Sequence, residues 1–322
     1  MRIESTAVSL PSVTLTNGDL LEKFPNWDFD RLGERAGVLS RHIAGDNETA
    51  YDLALDAAKN LLKNTSKVTK DIGALLYCTS SPDYTIPGDA ARLSYDLGFS
   101  ERQFVLDVNS GCSAYPYLLS LADGLIATNI TRDVIIVTSD TYSRRINPSD
   151  RSTRILFGDG AAASLVSSGG ESFQPVFGSR GDLFDRFWIK SGGAKHRNEG
   201  HSINVTDRFI KMEGLKVLSF FNSKIPDLVA ELCEKNGKSL DDIDAFIFHQ
   251  ASRVALDSIQ SALNIPASKM VRCYQQTGNL VSASVPFALN FARQDGLITE
   301  GNLVLLCGFG VGLSWGATLV KI

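Results

Sequence analysis

Residues 104–126 read FVLDVNSGCSAYPYLLSLADGLI, and how this stretch divides decides the fold. Phe104-Val105-Leu106-Asp107-Val108 is a β-type run, and Asn109-Ser110-Gly111 is turn chemistry. Beyond the turn, Tyr115, Leu118, Leu119, Ala122, Leu125 and Ile126 recur at the spacing of one helical face. Proline is tolerated only in the first turn of a helix, so Pro116 places the regular helix just after Cys112. A strand–turn–cysteine–helix order presents a sulfur nucleophile, because the unpaired N–H groups and positive dipole end of a helix favour thiolate over thiol. The competing reading is a small buried cysteine in a tight turn, since free cysteine is among the most buried residue types.

Outward from this unit the chain alternates strands and helices. Residues 1 to about 50 read as strand and turn, with Asn47-Glu48-Thr49 able to cap a helix over 51–62. A buried-type strand at 72–78 and a helix at 90–97 come next, then strands at 134–138 and 161–166 around Phe157-Gly158-Asp159-Gly160. Residues 167–205 carry no sustained periodicity and form the best boundary. Helices at 211–221 and 225–235, a strand at 245–248, helices at 253–263 and 286–295, and strands at 303–307 and 317–322 complete the chain. IGALLYCTSS echoes IDAFIFHQAS, and DVIIVTSD leading to FGDGAAASLV echoes NLVLLCGFG leading to GLSWGATLV. A repeat of about 150 residues exceeds a solenoid's period and implies a duplicated α/β unit, with halves at 1–170 and 171–322.

Composition excludes several classes. With 43% hydrophobic and 21% charged residues, the 322-residue chain has ample core for a globular protein. A net charge of −4 gives no electrostatic case for nucleic acid or an anionic membrane. Four His and five Cys without a CxxC pair argue against a metal site and for reduced, cytoplasmic thiols. MRIESTAVSLPS has no apolar signal core, and no segment approaches the roughly 18 apolar residues of a membrane span.

His249 follows a buried-type strand, and Asn279 lies in a Gly-Asn turn opening a helix; α/β folds put functional groups at such positions. A structural histidine and ordinary turn chemistry are the bland alternatives. Cys78, Cys233, Cys273 and Cys307 read as core. Gly308–Gly312 lacks the GxxxxGK[ST] pattern of a phosphate loop, so its glycines let backbone N–H groups approach a ligand.

Taken together, ERAGVLSRHIAGDNET (34–49), DVNSGCSAYPYLLSLADG (107–124), SDRSTRILFGDGAA (149–162), FHQAS (248–252), GNLVSASVP (278–286) and GFGVGLSWG (308–316) resemble the ketoacyl synthase III family of the thiolase superfamily. The resemblance spans essentially the whole chain. It implies a thiolase-like, duplicated five-layered αβαβα fold, a homodimer, and a Cys-His-Asn triad on Cys112, His249 and Asn279. It implies an oxyanion hole from the backbone N–H groups of Cys112 and Val311, where Val311 replaces a frequent glycine. Arg35, Arg151, Phe157, Ile86, Phe309, Gly310 and Arg253 fall at substrate-contacting positions. The implied substrates are an acyl-CoA and a malonyl thioester, with an acyl carrier protein as partner and no permanently bound cofactor or metal.

Departures from the family bear on substrate. Arg31 stands where a tryptophan often stacks on the coenzyme A adenine, with Trp27 nearby. The helix after Arg253-Val254 has no Lys or Arg, and Ser219 and Leu215 replace a Lys and an Asn, which weakens steering of an acidic carrier. Ile86 replaces a bulkier residue that closes the acyl pocket of the other subunit, implying room for a larger or branched acyl group. The leading expectation is decarboxylative condensation in fatty-acid or specialised acyl and polyketide pathways. The alternative is acyl transfer from Cys112 to a hydroxyl or amine, against which Asn279 argues. A thiolase would want a second catalytic cysteine and histidine, a hydroxymethylglutaryl-type synthase a glutamate base, and a non-catalytic member would lack part of the triad.

Overall fold

The strand Ala74–Cys78 is buried at every position, as a strand covered on both faces must be. The computed structural model describes residues 1–194 and 204–322, so part of the 167–205 stretch lies outside the described residues. Ala74–Cys78 pairs in parallel with Phe104–Val108 on one side and Asp133–Asp140 on the other. Gly160–Ser167 and then Arg2–Ser9 extend the sheet antiparallel. A second sheet repeats these directions: Ala245–Phe248 lies parallel to Leu303–Gly310, which is followed antiparallel by Ser314–Lys321 and Val176–Ser179. A parallel bridge from Phe246 to Met270 stands where the first sheet has its edge strand.

Side-chain alternation sets the layers. Leu75, Tyr77, Ile135 and Val137 pack on the helix Ala50–Lys63. Leu76, Cys78 and Ile136 point the other way, onto the helices Ala114–Ala127 and Ser284–Gln294, whose far sides meet Ile247, Val304 and Leu306 of the second sheet. Phe246, Phe248 and Leu305 turn outward to Gly214–Lys235 and Arg253–Leu263. The order is helix, sheet, helix, sheet, helix: the expected five layers.

Several local expectations change. The first 50 residues also hold helices at Asn17–Lys23, where Thr16 and Asp19 form a capping box, and at Phe29–Ala36, where Asp28 accepts from the Arg31 N–H. Thr49 caps Ala50–Lys63 as expected, with Asp52 closing its capping box. The helix expected to break near 222–224 runs unbroken over Gly214–Lys235 with Pro226 inside it. Proline costs a helix roughly 3 kcal/mol. Burial of Ile225, Leu228, Val229 and Leu232 on one face outweighs that, at about 1.5–3 kcal/mol per side chain. In the glycine-rich segment, residues 308–310 continue the strand that begins at Leu303, and residues 311–313 form the turn that follows it.

Candidate active site

Cys112 sits in a single 3₁₀ turn, Gly111–Ser113, that leads directly into Ala114–Ala127. Gly111 adopts φ +54°, and a Cβ there would run into the Val311 side chain. The strand end 308–310 lies against the turn: a Cβ on Gly310 would stand 2.6 Å from the Cys112 Cβ and 3.1 Å from its Sγ. The backbone N–H groups of Val311 and of Cys112 itself are near enough to the sulfur to favour its thiolate.

The thiolate expected from the helix terminus is not favoured in the resting site. Burial pushes the Cys112 thiol well up and the nearby Asp140 carboxyl pushes the same way, while the two N–H donors pull down. Cys112 is only 2% exposed and packs with Ile146, Phe157, Phe187 and Val281. Desolvation of a charge in such surroundings outweighs the dipole of one helix.

His249 follows Ala245–Phe248, and its backbone N–H donates to the Cys307 carbonyl at 2.7 Å. The ring meets Phe309 edge-on, centroids 5.5 Å apart, and its Nδ1 is buried without a hydrogen-bond partner among the described residues. Burial pushes its pKa down to about 3, so the imidazole is neutral at ordinary pH.

Asn279 is fixed at both ends. Its backbone N–H donates to Leu156 and its carbonyl accepts from Gly158, at 2.8 and 3.1 Å. Its Oδ1 accepts from the Val281 N–H at 2.9 Å, and among the described residues its Nδ2 is left as a free donor. Gly278 permits this close approach: it has φ +69°, and a Cβ there would lie 2.8 Å from the Leu156 carbonyl oxygen. Behind Phe157, Asp159 accepts from the N–H groups of Ala44 and Ser143 at 2.8 and 3.0 Å, tying two loops together.

Cys112, His249 and Asn279 all line one cavity of about 420 Å³. Leu156, Phe157, Phe187, Met212, Val217, Phe221 and Phe309 wall it, and Arg35 and Ser152 add polar side chains to the lining. Of the substrate residues expected from the sequence, Arg35, Phe157, Phe309 and Gly310 line it. Arg151 and Arg253 do not, although their neighbours Ser152, Ser252 and Val254 do. Arg253 instead pairs with Glu34 at 3.1 Å. Ile86 is 86% exposed and apart from the cavity within one chain. Trp27 stacks between Phe24 and Phe29, and is thus engaged within its own segment. Sequence reasoning missed Phe187, Met212, Val217 and Phe221, and also Asp140, fully buried beside Cys112.

Two sheets of matching direction, five layers and a cysteine in the turn that opens a central-layer helix define a thiolase-like acyl-thioester enzyme. A family profile described as 3-oxoacyl-[acyl-carrier-protein (ACP)] synthase III matches residues 106–181, and that of the same enzyme's C-terminal part matches 233–322. A β-ketoacyl-[acyl-carrier-protein] synthase III of Oleidesulfovibrio alaskensis is 35% identical over 318 residues, covering 97% of this chain and 96% of that protein. One of Sphingopyxis alaskensis is 32% identical over 322 residues, covering 99% and 98%. Among solved structures, a 3-oxoacyl-(acyl-carrier-protein) synthase III superposes with TM-score 0.96 at 35% identity, covering 100% of this chain and 99% of that one. The Pseudomonas aeruginosa enzyme of that name gives TM-score 0.90 at 28% identity, covering 99% and 97%. The chain belongs to the 3-oxoacyl-acyl-carrier-protein synthase III family. It is therefore a condensing enzyme, a transferase of acyl groups.

Proposed function

We propose that Cys112 takes an acyl group from coenzyme A and that His249 and Asn279 then drive decarboxylative condensation with a malonyl thioester, in fatty-acid or polyketide synthesis. In the first step the Cys112 sulfur forms a new thioester, and coenzyme A leaves with the thiol proton. The malonyl thioester then loses CO₂, and its electron pair remains as an enolate. The enolate carbon attacks the acyl carbonyl, the C–S bond to Cys112 breaks, and the sulfur regains a proton. The carbanion comes from decarboxylation, so the reading needs no permanent cofactor or strong base. It needs donors aimed at the enolate oxygen, each worth about 3–4 kcal/mol when preorganised. A neutral His249 and the free Nδ2 of Asn279 suit that part, and the N–H groups of Cys112 and Val311 suit the oxyanion at the acyl carbonyl.

The observation that carries this reading is the convergence of Cys112, His249 and Asn279, from three separate segments, on one apolar cavity. The free Asn279 donor favours condensation over transfer to a hydroxyl or amine, which forms no enolate. The carrier is a finer question. Lys211 pairs with Asp207, Lys216 with Glu213, and Arg253 with Glu34, so part of the positive charge available to an acidic carrier protein is already met within the chain. We read the enzyme as a cytoplasmic homodimer, completed by Ile86 from the partner; supporting this, the edge strand Phe104–Val108 exposes Phe104 and Leu106.

Intact-protein mass measurement tests the reading, with a panel of acyl-CoAs, with and without malonyl-CoA or malonyl-carrier protein, on wild type and Cys112→Ala. An adduct that needs Cys112 and discharges only with a malonyl thioester, giving a 3-oxoacyl product, is expected. Discharge by small alcohols or amines, with malonyl thioesters inert, would overturn condensation.

A further inference from the structure

The two halves carry the same turn twice. Gly111-Cys112-Ser113 forms a 3₁₀ turn before one central helix, and Val281-Ser282-Ala283 forms the same turn before the other. Pro116 and Pro286 follow Cys112 and Ser282 at equal distances. The backbone agrees closely: φ is +54° at both Gly111 and Val281. Glycine adopts that angle freely, whereas for a β-branched residue it is an outlier that its surroundings must enforce.

The strand ends facing the two turns differ in a complementary way. Asp133–Asp140 ends on the valine turn as Leu303–Gly310 ends on the glycine turn. Asp140 therefore occupies the place that Gly310 occupies beside Cys112. Its Oδ2 accepts from the Ser282 N–H at 3.2 Å and from the Ser282 hydroxyl at 2.5 Å. Its Oδ1 accepts from the Ser80 N–H at 2.8 Å and the Ser81 hydroxyl at 3.3 Å. One fully buried carboxyl thus holds the residue next to the strained valine, and the Val281 N–H holds the Asn279 Oδ1.

We propose that Asp140 is a positioning residue for condensation: through Ser282 it keeps Val281 left-handed, and through the Val281 N–H it keeps the Asn279 carboxamide donor on the cavity. The inference rests on the enolate-stabilising part given to Asn279 above. It explains why the second half keeps a valine where the first has glycine. The turn that bears the nucleophile is free of strain and needs the room Gly310 leaves. The turn that aims Asn279 is held by hydrogen bonds to a buried charge, the stronger kind.

The test uses the full-length enzyme and two readouts: carbon dioxide release from malonyl-CoA and malonyl-carrier protein, and alkylation of Cys112 by iodoacetamide. Asp140→Asn cannot accept from both Ser80 and Ser282. It is expected to lower kcat for release ~10–100-fold, the worth of a hydrogen bond to a charged group, with KM little changed. Cys112 alkylation is expected to stay level or quicken, because the Asp140 charge opposes the thiolate. Ser282→Ala, which removes only the hydroxyl bond, should show the same split at ~3–10-fold and carries the test if Asp140→Asn does not fold. Adding Val281→Gly to the Asp140 variant should restore release at least ~3-fold, since glycine holds the turn without a clamp. Unchanged release, release and alkylation falling together, or no recovery with glycine would each overturn the proposal. Asn279→Ala separates the two levels: if it keeps full release, the reading of Asn279 fails and the inference with it. If it loses release while the Asp140 and Ser282 variants keep theirs, only the inference fails.

Discussion

Burial holds the His249 imidazole near a pKa of about 3, against an ordinary value near 6.5, so its charge state does not change where enzymes usually work. The pH profile of kcat for condensation should therefore lack an acid limb at pH 6–7 belonging to His249; such a limb, disappearing in His249→Gln, would contradict a neutral donor. Stability carries the matching sign. The unfolded chain binds the His249 proton below about 6.5 and the folded one does not, so this stability is present above 6.5 and is lost as pH falls toward 3. Asp140 works oppositely: burial raises it to about 6, so protonation favours the fold as pH falls from 6 toward its unfolded value near 3.9. His249→Gln should consequently lose less Tm between pH 6 and 4 than wild type, as a pH series of thermal unfolding would show. Gly310→Ala offers a steric test, because the added Cβ would stand 2.6 Å from the Cys112 Cβ. Relieving that contact takes a shift of about 1 Å, which is expected to cut Cys112 acylation ~10²-fold while the fold survives. Cys112, His249 and Asn279 each sit where a strand or turn hands over to a helix, and such junctions are written locally, but the junctions alone left a structural role open for each, and only the resemblance to the family joined the three as a triad. Asp140 was not legible: DVIIVTSD reads as a strand with a polar end, and what that end holds lies in another half of the chain.

At the scale of elements, local chemistry was readable and tertiary context was not. Thr49 with Asp52, and Ser252 accepting from Ala255, start their helices where sequence patterning put them. The helix at 214–235 hid its continuity behind Pro226, since only the sheet beneath it reveals how much surface the unbroken helix buries. The cavity walls were hidden for a related reason. Phe187 belongs to a three-residue strand, Phe187–Ile189, paired with Ile210–Met212, and elements this short have no periodicity to read. The Phe104–Val108 run reads as a strand from its residues, but its position at a sheet edge, with Phe104 39% and Leu106 38% exposed, appears only once strand order is known. An apolar edge with unpaired backbone groups is a template for another strand, and a second copy of this chain carries the same one. If the proposed dimer pairs through this edge, Leu106→Lys should shift it to monomer in light scattering coupled to size exclusion, because a charge on the edge opposes pairing. A wild type that is already monomeric, or a variant that stays dimeric, would dismiss the edge as the interface.

For the whole molecule we propose a division at residue 170. Every strand of the first main sheet ends by Ser167 and every strand of the second begins after Val176 or at it. Such halves need not be independent. Leu76, Leu118 and Ile136 from one side share a single buried cluster with Ile247, Leu289 and Val304 from the other. The central helices Ala114–Ala127 and Ser284–Gln294 are thus core to both sheets at once, and neither sheet keeps a dry inner face if the other is removed. The two units share one plan, but the apolar face of each is satisfied only by the other. The chain should therefore unfold in one cooperative transition. Leu289→Ala deletes a fully buried side chain of the second half and should cost about 2–5 kcal/mol. If the core is shared, that loss spreads. Hydrogen-exchange protection should fall in Ala74–Cys78, on the first sheet, as much as in Leu303–Gly310, on the second. Protection falling only in the second half, or two resolved transitions by calorimetry, would mean that the halves fold separately and that the common helical layer is an interface between domains.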